Sequence, residues 1–150
     1  MSRVLVTGAA GRIGRAVLDL LAARGGAATA LVLEDPGDLA ADVVIEGDAT
    51  DPAAVRAALE GVDAVVHLAA IPTPEWLPAE QVFATNTQST FTVLEQAGQA
   101  GVRRACLASS LSADGLAFAR RELHPPTCRS TPRCPARPRT PTRCPSRSTS

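Results

Sequence analysis

Residues 4–17 read VLVTGAAGRIGRAV. A short apolar run ends at Thr7, and Gly8, Gly11 and Gly14 then lead into a stretch of helical period. Each glycine at that spacing answers a different steric demand. One at the turn permits positive φ, the next lets backbone come close to a bound group, and the third lets the helix pack against the strand. A strand that turns this tightly into a helix restricts the chain to folds built from strand–helix–strand units.

The following sequence keeps that pattern to about residue 124. Short apolar runs alternate with longer segments of helical period, which predicts a parallel sheet buried on both faces. Strands are expected near residues 3–7, 29–34, 43–46, 63–68 and 103–109. The first helix should run over 12–24, with Ile13, Val17, Leu20 and Leu21 on its inner stripe and Gly25 and Gly26 to stop it. Asp51 reads as an N-cap with Pro52 at the first helical position, opening a short helix that ends at Gly61. A third helix over about 79–100 carries Val82, Phe83, Phe91, Val93 and Leu94. The expected fold is a three-layer α/β domain of Rossmann type over residues 1–124, with strand order 3-2-1-4-5. Residues 125–150 form a Pro-, Arg-, Ser- and Thr-rich tail, expected to be disordered because almost nothing in it could be buried to offset the entropy of ordering.

A chain of 150 residues suits one domain with a real core. Lys+Arg and Asp+Glu balance at 15 each, so bulk charge argues for neither nucleic acid, membrane nor acidic substrates. The N-terminus lacks the apolar region of a signal peptide, and no apolar run nears the roughly eighteen residues of a membrane span. A cytoplasmic location is expected. Cys106 lies in an apolar run and reads as an inert core thiol; the unequal gaps between Cys128, Cys134 and Cys144 do not match zinc-ligand spacings, so no metal is expected.

A helix N-terminus carries unpaired N–H groups and a partial positive charge. Gly8, Ala10, Gly11, Arg12, Ile13 and Gly14 are therefore expected to hold the pyrophosphate of a dinucleotide. Glu34 is the first polar residue after ALVL at the end of the second strand, with Asp35 next to it. A carboxylate there would accept from the adenosine ribose and repel the extra phosphate of NADP. Arg12 would instead bind that phosphate, so NAD is expected and NADP stays open.

With these residues in place, the chain resembles the extended short-chain dehydrogenase/reductases, in the NAD-dependent epimerase/dehydratase branch that includes uronate dehydrogenases. TGAAGRIG is similar to that family's TGxxGxxG, and GDATD at Gly47–Asp51 to its adenine-side segment. The resemblance implies that Asp48 accepts from the adenine amino group and that Ala49 lines the pocket. VVHLAA at Val65–Ala70 resembles the fourth-strand HxAA signature, which implies that Leu68, Ala69 and Ala70 let the cofactor lie against the sheet. TNTQSTFTVLEQA resembles NxxGTxxLLEAA, with Asn86 at the asparagine and Ser89 where glycine is usual. RACLASSLSADG resembles the fifth strand and its serine, which implies Ser110, or Ser109 one register back, as the group holding the substrate oxygen.

The resemblance also implies a tyrosine acting as acid/base and a lysine one helical turn later that lowers its pKa. The sequence contains neither. The resemblance implies a C-terminal substrate-binding region beyond the Rossmann core as well, and its absence from these residues is expected. One reading is thus an oxidoreductase or epimerase for a nucleotide-sugar, uronate or similar carbonyl or hydroxyl substrate, truncated or misread and inactive as written. The family's full-length members imply a small-molecule substrate and a homodimer. The alternative is a non-catalytic dinucleotide-binding module whose basic tail is an interaction arm. The tail itself reads as a shifted frame. Permitted codons for RTPTRCPSR, read one frame over, encode Asp-Pro-Tyr-Ala-Leu-Ser-Lys-Pro, a YxxxK segment of the expected kind.

Overall fold

Alternation along the first strand decides the layering, because successive side chains leave opposite faces of a sheet. Leu5 joins Leu31, Val55, Val65 and Val93 in one buried cluster, while its neighbour Val6 joins Leu18, Ala28, Ala30 and Val32 in another. A sheet with core on both faces needs helices on both. The computed structural model describes residues 2–72 and 77–110 and provides them. In chain order the elements are β1 (Arg3–Thr7), α1 (Arg12–Ala23), β2 (Ala27–Val32), β3 (Val43–Glu46), α2 (Pro52–Ala58), β4 (Ala64–His67), α3 (Ala79–Gln99) and β5 (Arg104–Leu107).

The sheet order is β3-β2-β1-β4-β5 and every neighbouring pair is parallel, as the sequence pattern leads one to expect. β1 is central, with Thr7 level with Leu31 of β2 on one side and His67 of β4 on the other. This is the Rossmann arrangement, whose strand order reverses beside β1 and opens a crevice at the carboxyl ends of β1 and β4. Met1–Ser109 make one compact unit. Among the described residues no helix is long and apolar enough to cross a membrane. The expectations for residues 111–150, tail included, lie outside the described residues.

Local signals hold where the chemistry is local. Asp51 caps α2 by accepting from the Ala53 amide at 2.9 Å, with Pro52 opening the helix. Gly25 follows α1 with φ of +66°.

Two expectations about burial, on α1 and at Cys106, need correction. On α1, Ile13 and Leu20 are 63% and 50% exposed, whereas Gly14 and Leu18 are buried. The reason is close approach: a Cβ on Gly14 would stand 2.4 Å from the Gly8 carbonyl oxygen and 2.7 Å from Ala9 Cα. The helix touches the strand turn at Gly14, and that sets which stripe faces in. On α3, Val93 is buried but Phe83, Phe91 and Leu94 are exposed. Its inner face is instead small or hydrogen-bonded, with Ser89, Thr92, Gln96 and Ala97; Arg56 Nε of α2 donates to Gln96 Oε1 at 3.2 Å. Finally, Cys106 is exposed, as are all four residues of β5. Among the described residues β5 is at the edge of the sheet, and α3 packs on α2 and β4.

Candidate functional site

The crevice is built mainly from backbone and small side chains. Gly8 turns the chain out of β1 with φ of +63°, and a Cβ there would lie 2.8 Å from the Ala69 nitrogen and 2.9 Å from Ala69 Cα. The turn after β1 and the loop after β4 thus touch through a position only glycine can fill. Beside them α1 begins at Gly11 with no side-chain cap and no acidic residue in its first turn. Its leading amides meet no side-chain acceptor, so the helix end is set up for an anion.

A groove of about 320 Å³ opens over this junction. Of the residues singled out in the sequence, Gly8, Gly11, Asp48, Ala49, Leu68, Ala69 and Ala70 line it together. Ala10, Arg12, Ile13, Gly14, Glu34 and Asn86 do not line it. Ala10, Arg12 and Ile13 are exposed at the start of α1, and Gly14 is buried beneath it. Glu34 is exposed and directly follows the lining residue Leu33. Ser109 and Ser110 are both exposed, and Ser109 closes the compact unit. Leu33, Ile71, Thr85 and Ser89 line the groove without having been singled out as cofactor-binding. For the apolar pair the available signal was position, each directly continuing a stretch already assigned to the site.

The polar groups near the groove are largely committed. Asp48 Oδ1 accepts from the Thr50 amide at 2.8 Å, and Asp35 Oδ1 accepts from the Gly37 amide at 2.8 Å. Asn86 clamps the loop after β4 from both ends of its amide: Ile71 N–H donates to Oδ1 at 2.8 Å, and Nδ2 donates to the Ile71 carbonyl at 3.1 Å. Arg15 ties the loop after β2 to the glycine turn, donating from Nε to the Ala10 carbonyl at 3.2 Å and from a guanidinium nitrogen to Asp38 at 2.9 Å. That hydrogen bond holds the Asp38 carboxyl below its ordinary range and raises Arg15.

Beneath the floor lies a pair to which the sequence reading gave no role, although His67 is the histidine of the HxAA stretch. His67 is 4% exposed and Thr7 fully buried, and Thr7 Oγ1 stands 2.8 Å from His67 Nδ1. The same hydroxyl accepts from the amides of Leu68 and Ala69, each at 3.2 Å. Burial pushes the His67 pKa down from its ordinary 6.5. A histidine closing an otherwise apolar strand at the head of the HxAA stretch was the signal, since a buried ring nitrogen needs a partner.

The sequence profile of the NAD dependent epimerase/dehydratase family matches residues 4–141. The chain belongs to this family. Among its curated relatives, the NAD-dependent glucose-6-phosphate dehydrogenase of Haloferax volcanii is 37% identical over 120 residues, covering 75% of this chain and 44% of that protein. The uronate dehydrogenase of Pseudomonas putida is 36% identical over 114 residues, covering 73% and 41%. Among solved structures, a short-chain dehydrogenase/reductase superfamily protein from Agrobacterium tumefaciens with bound NAD shares 39% identity at a TM-score of 0.64, covering 72% of this chain and 32% of that one. This epimerase/dehydratase chain therefore spans less than half the length of these relatives.

Proposed function

We propose that this chain binds NAD in the groove over Gly8–Gly14 as the cofactor-binding part of a sugar-directed dehydrogenase or epimerase. The observation that carries the reading is the backbone cradle: Gly8 and Gly14 leave no room for a Cβ, and the uncapped start of α1 adjoins them. The pyrophosphate belongs against Gly8, Ala10, Gly11, Arg12 and Ile13, where amides and the helix end favour negative charge. The adenine edge belongs at Asp48 and Ala49, and the ribose hydroxyls at Glu34, whose negative charge disfavours NADP. Leu68, Ala69 and Ala70 form the apolar floor beneath the cofactor. Asn86 supports that floor by holding Ile71.

When bound, NAD supplies the hydride acceptor. The chain's own contribution near the substrate would be Ser110, or Ser109, holding a substrate oxygen. Two relatives are named for a hexose phosphate and a uronate, which supports a sugar hydroxyl or similar carbonyl as the substrate. With no Tyr and no Lys in the sequence, proton transfer lacks its expected pair and the chain should bind without turning over. The reading of the tail as a shifted frame belongs to this proposal; the coding DNA from Pro125 onward tests it directly.

Calorimetry with NAD and NADP tests the binding site. NAD should bind more tightly than NADP, Gly11→Leu should abolish binding, and Glu34→Gln should weaken NAD by about 1.5–3 kcal/mol, the range for a hydrogen bond to a charged group. Wild-type affinity in both variants would remove the assignment.

A further inference from the structure

The polar chain under the groove floor has a direction that hydrogen counting fixes. Thr7 Oγ1 carries one proton and two lone pairs; it accepts from the Ala69 amide and shares the Leu68 amide with its own backbone carbonyl, each at 3.2 Å. Its proton is then directed at His67 Nδ1 at 2.8 Å, which assigns Nδ1 as the unprotonated nitrogen. The ring proton sits on Nε2, 3.3 Å from Thr90 Oγ1 of α3, and Thr90 in turn donates to the Asn86 carbonyl at 2.9 Å. Asn86 then clamps Ile71. One ordered chain joins the end of β1, the end of β4 and the middle of α3. It holds both ends of the segment Leu68–Ile71, all of which lines the groove.

We propose that His67 is a positioning residue for the cofactor: neutral and protonated on Nε2, it locks Leu68–Ile71 against Gly8, and a second proton on the ring releases that floor and weakens dinucleotide binding. This rests on the groove being the NAD site. A proton on Nδ1 would point a third donor at a hydroxyl with two lone pairs. Thr7 would then have to give up the Ala69 amide or leave the Leu68 amide to its backbone carbonyl alone, or His67 would have to leave the pocket. The tolerance is small, because Ala69 already stands where a Cβ on Gly8 would clash.

Among the described residues no charged group offsets such a proton, and burial is what lowers the His67 pKa. On β1 the titratable residue is Arg3, at the far end of the strand, where its backbone amide meets Asp63 just before β4. On α3 they are Glu80 and Glu95 and on β5 Arg104 and Cys106, all exposed. The groups that face the ring are the hydroxyls of Thr7 and Thr90.

Nitrogen-detected NMR of the whole 150-residue chain should show a neutral His67 ring with the proton on Nε2 at pH 7.5. NAD affinity of the wild type should fall by up to about tenfold per pH unit once the ring begins to protonate. His67→Phe, which leaves the Thr7 hydroxyl without an acceptor, should bind NAD about tenfold more weakly at pH 7.5. His67→Asn, whose side-chain oxygen takes the place of Nδ1, should recover much of that loss and show a flat acid limb. Thr7→Val should weaken binding and shift the ring resonances. If the NMR finds the proton on Nδ1, or if His67→Asn keeps the acid-side decline of the wild type, the inference is overturned. Absence of NAD binding by the wild type at pH 7.5 would instead overturn the assignment of the groove.

Discussion

β2 and β5 are both short, largely apolar parallel strands, yet their surroundings differ completely. In β2 every residue after Ala27 is buried, and in β5 every residue is exposed. β2 lies between β1 and β3 with α1 and α2 packed on it. Among the described residues β5 pairs with β4 alone, and α3 packs on α2 and β4. An apolar run is thus enough to make a strand, but burial depends on the layers above and below it. The same contrast separates the two walls of the molecule: Leu5, Leu31 and Val65 are at most 2% exposed, while Phe83, Phe91 and Leu107 offer apolar surface to solvent.

The largest effect that sharpens this contrast is in the core. Leu31→Ala should lower unfolding stability by about 2–5 kcal/mol, the range for a fully buried leucine, whereas Leu107→Ala should cost under about 0.5 kcal/mol. Denaturant titration of both variants checks it, and equal losses would break the comparison. Next come two glycines with the same positive φ, Gly8 and Gly25. Gly25→Ala meets no atom within 4 Å and should cost only the left-handed backbone, about 1 kcal/mol. Gly8→Ala adds a clash with Ala69 and should cost a further 1–3 kcal/mol or so, with loss of NAD binding in the same sample.

A smaller effect comes from His67. Its folded-state pKa lies below the ordinary 6.5. The unfolded chain takes up a proton more readily, so the stability from keeping the ring neutral is fully present above pH 6.5. It should be lost as pH falls from there through the folded-state value, with a slope of at most about 1.4 kcal/mol per pH unit. Unfolding midpoints measured from pH 7.5 down to 5 should bend accordingly, and the bend should vanish in His67→Asn. The smallest effect belongs to the exposed Arg15–Asp38 pair. Asp38→Asn should leave the unfolding midpoint unchanged within error, because solvent screens an ion pair of that kind.

Local chemistry in the sequence was sufficient for the glycine turn after β1, the Asp51 cap with Pro52, and the alternation of Leu5 and Val6 that demands helices on both faces. These depend on backbone torsion and on neighbours a few residues away, which the chain carries with it. Tertiary structure alone decided that Gly14 rather than Ile13 meets the sheet, that Cys106 faces solvent, and that the Asn86 amide is taken up by Ile71, fifteen residues back. It alone brought His67 to Thr7, 60 residues apart in the chain. Close approach and hydrogen-bond satisfaction between distant segments are properties of the packed layers, and no periodicity along one segment encodes which atoms of another will complete it.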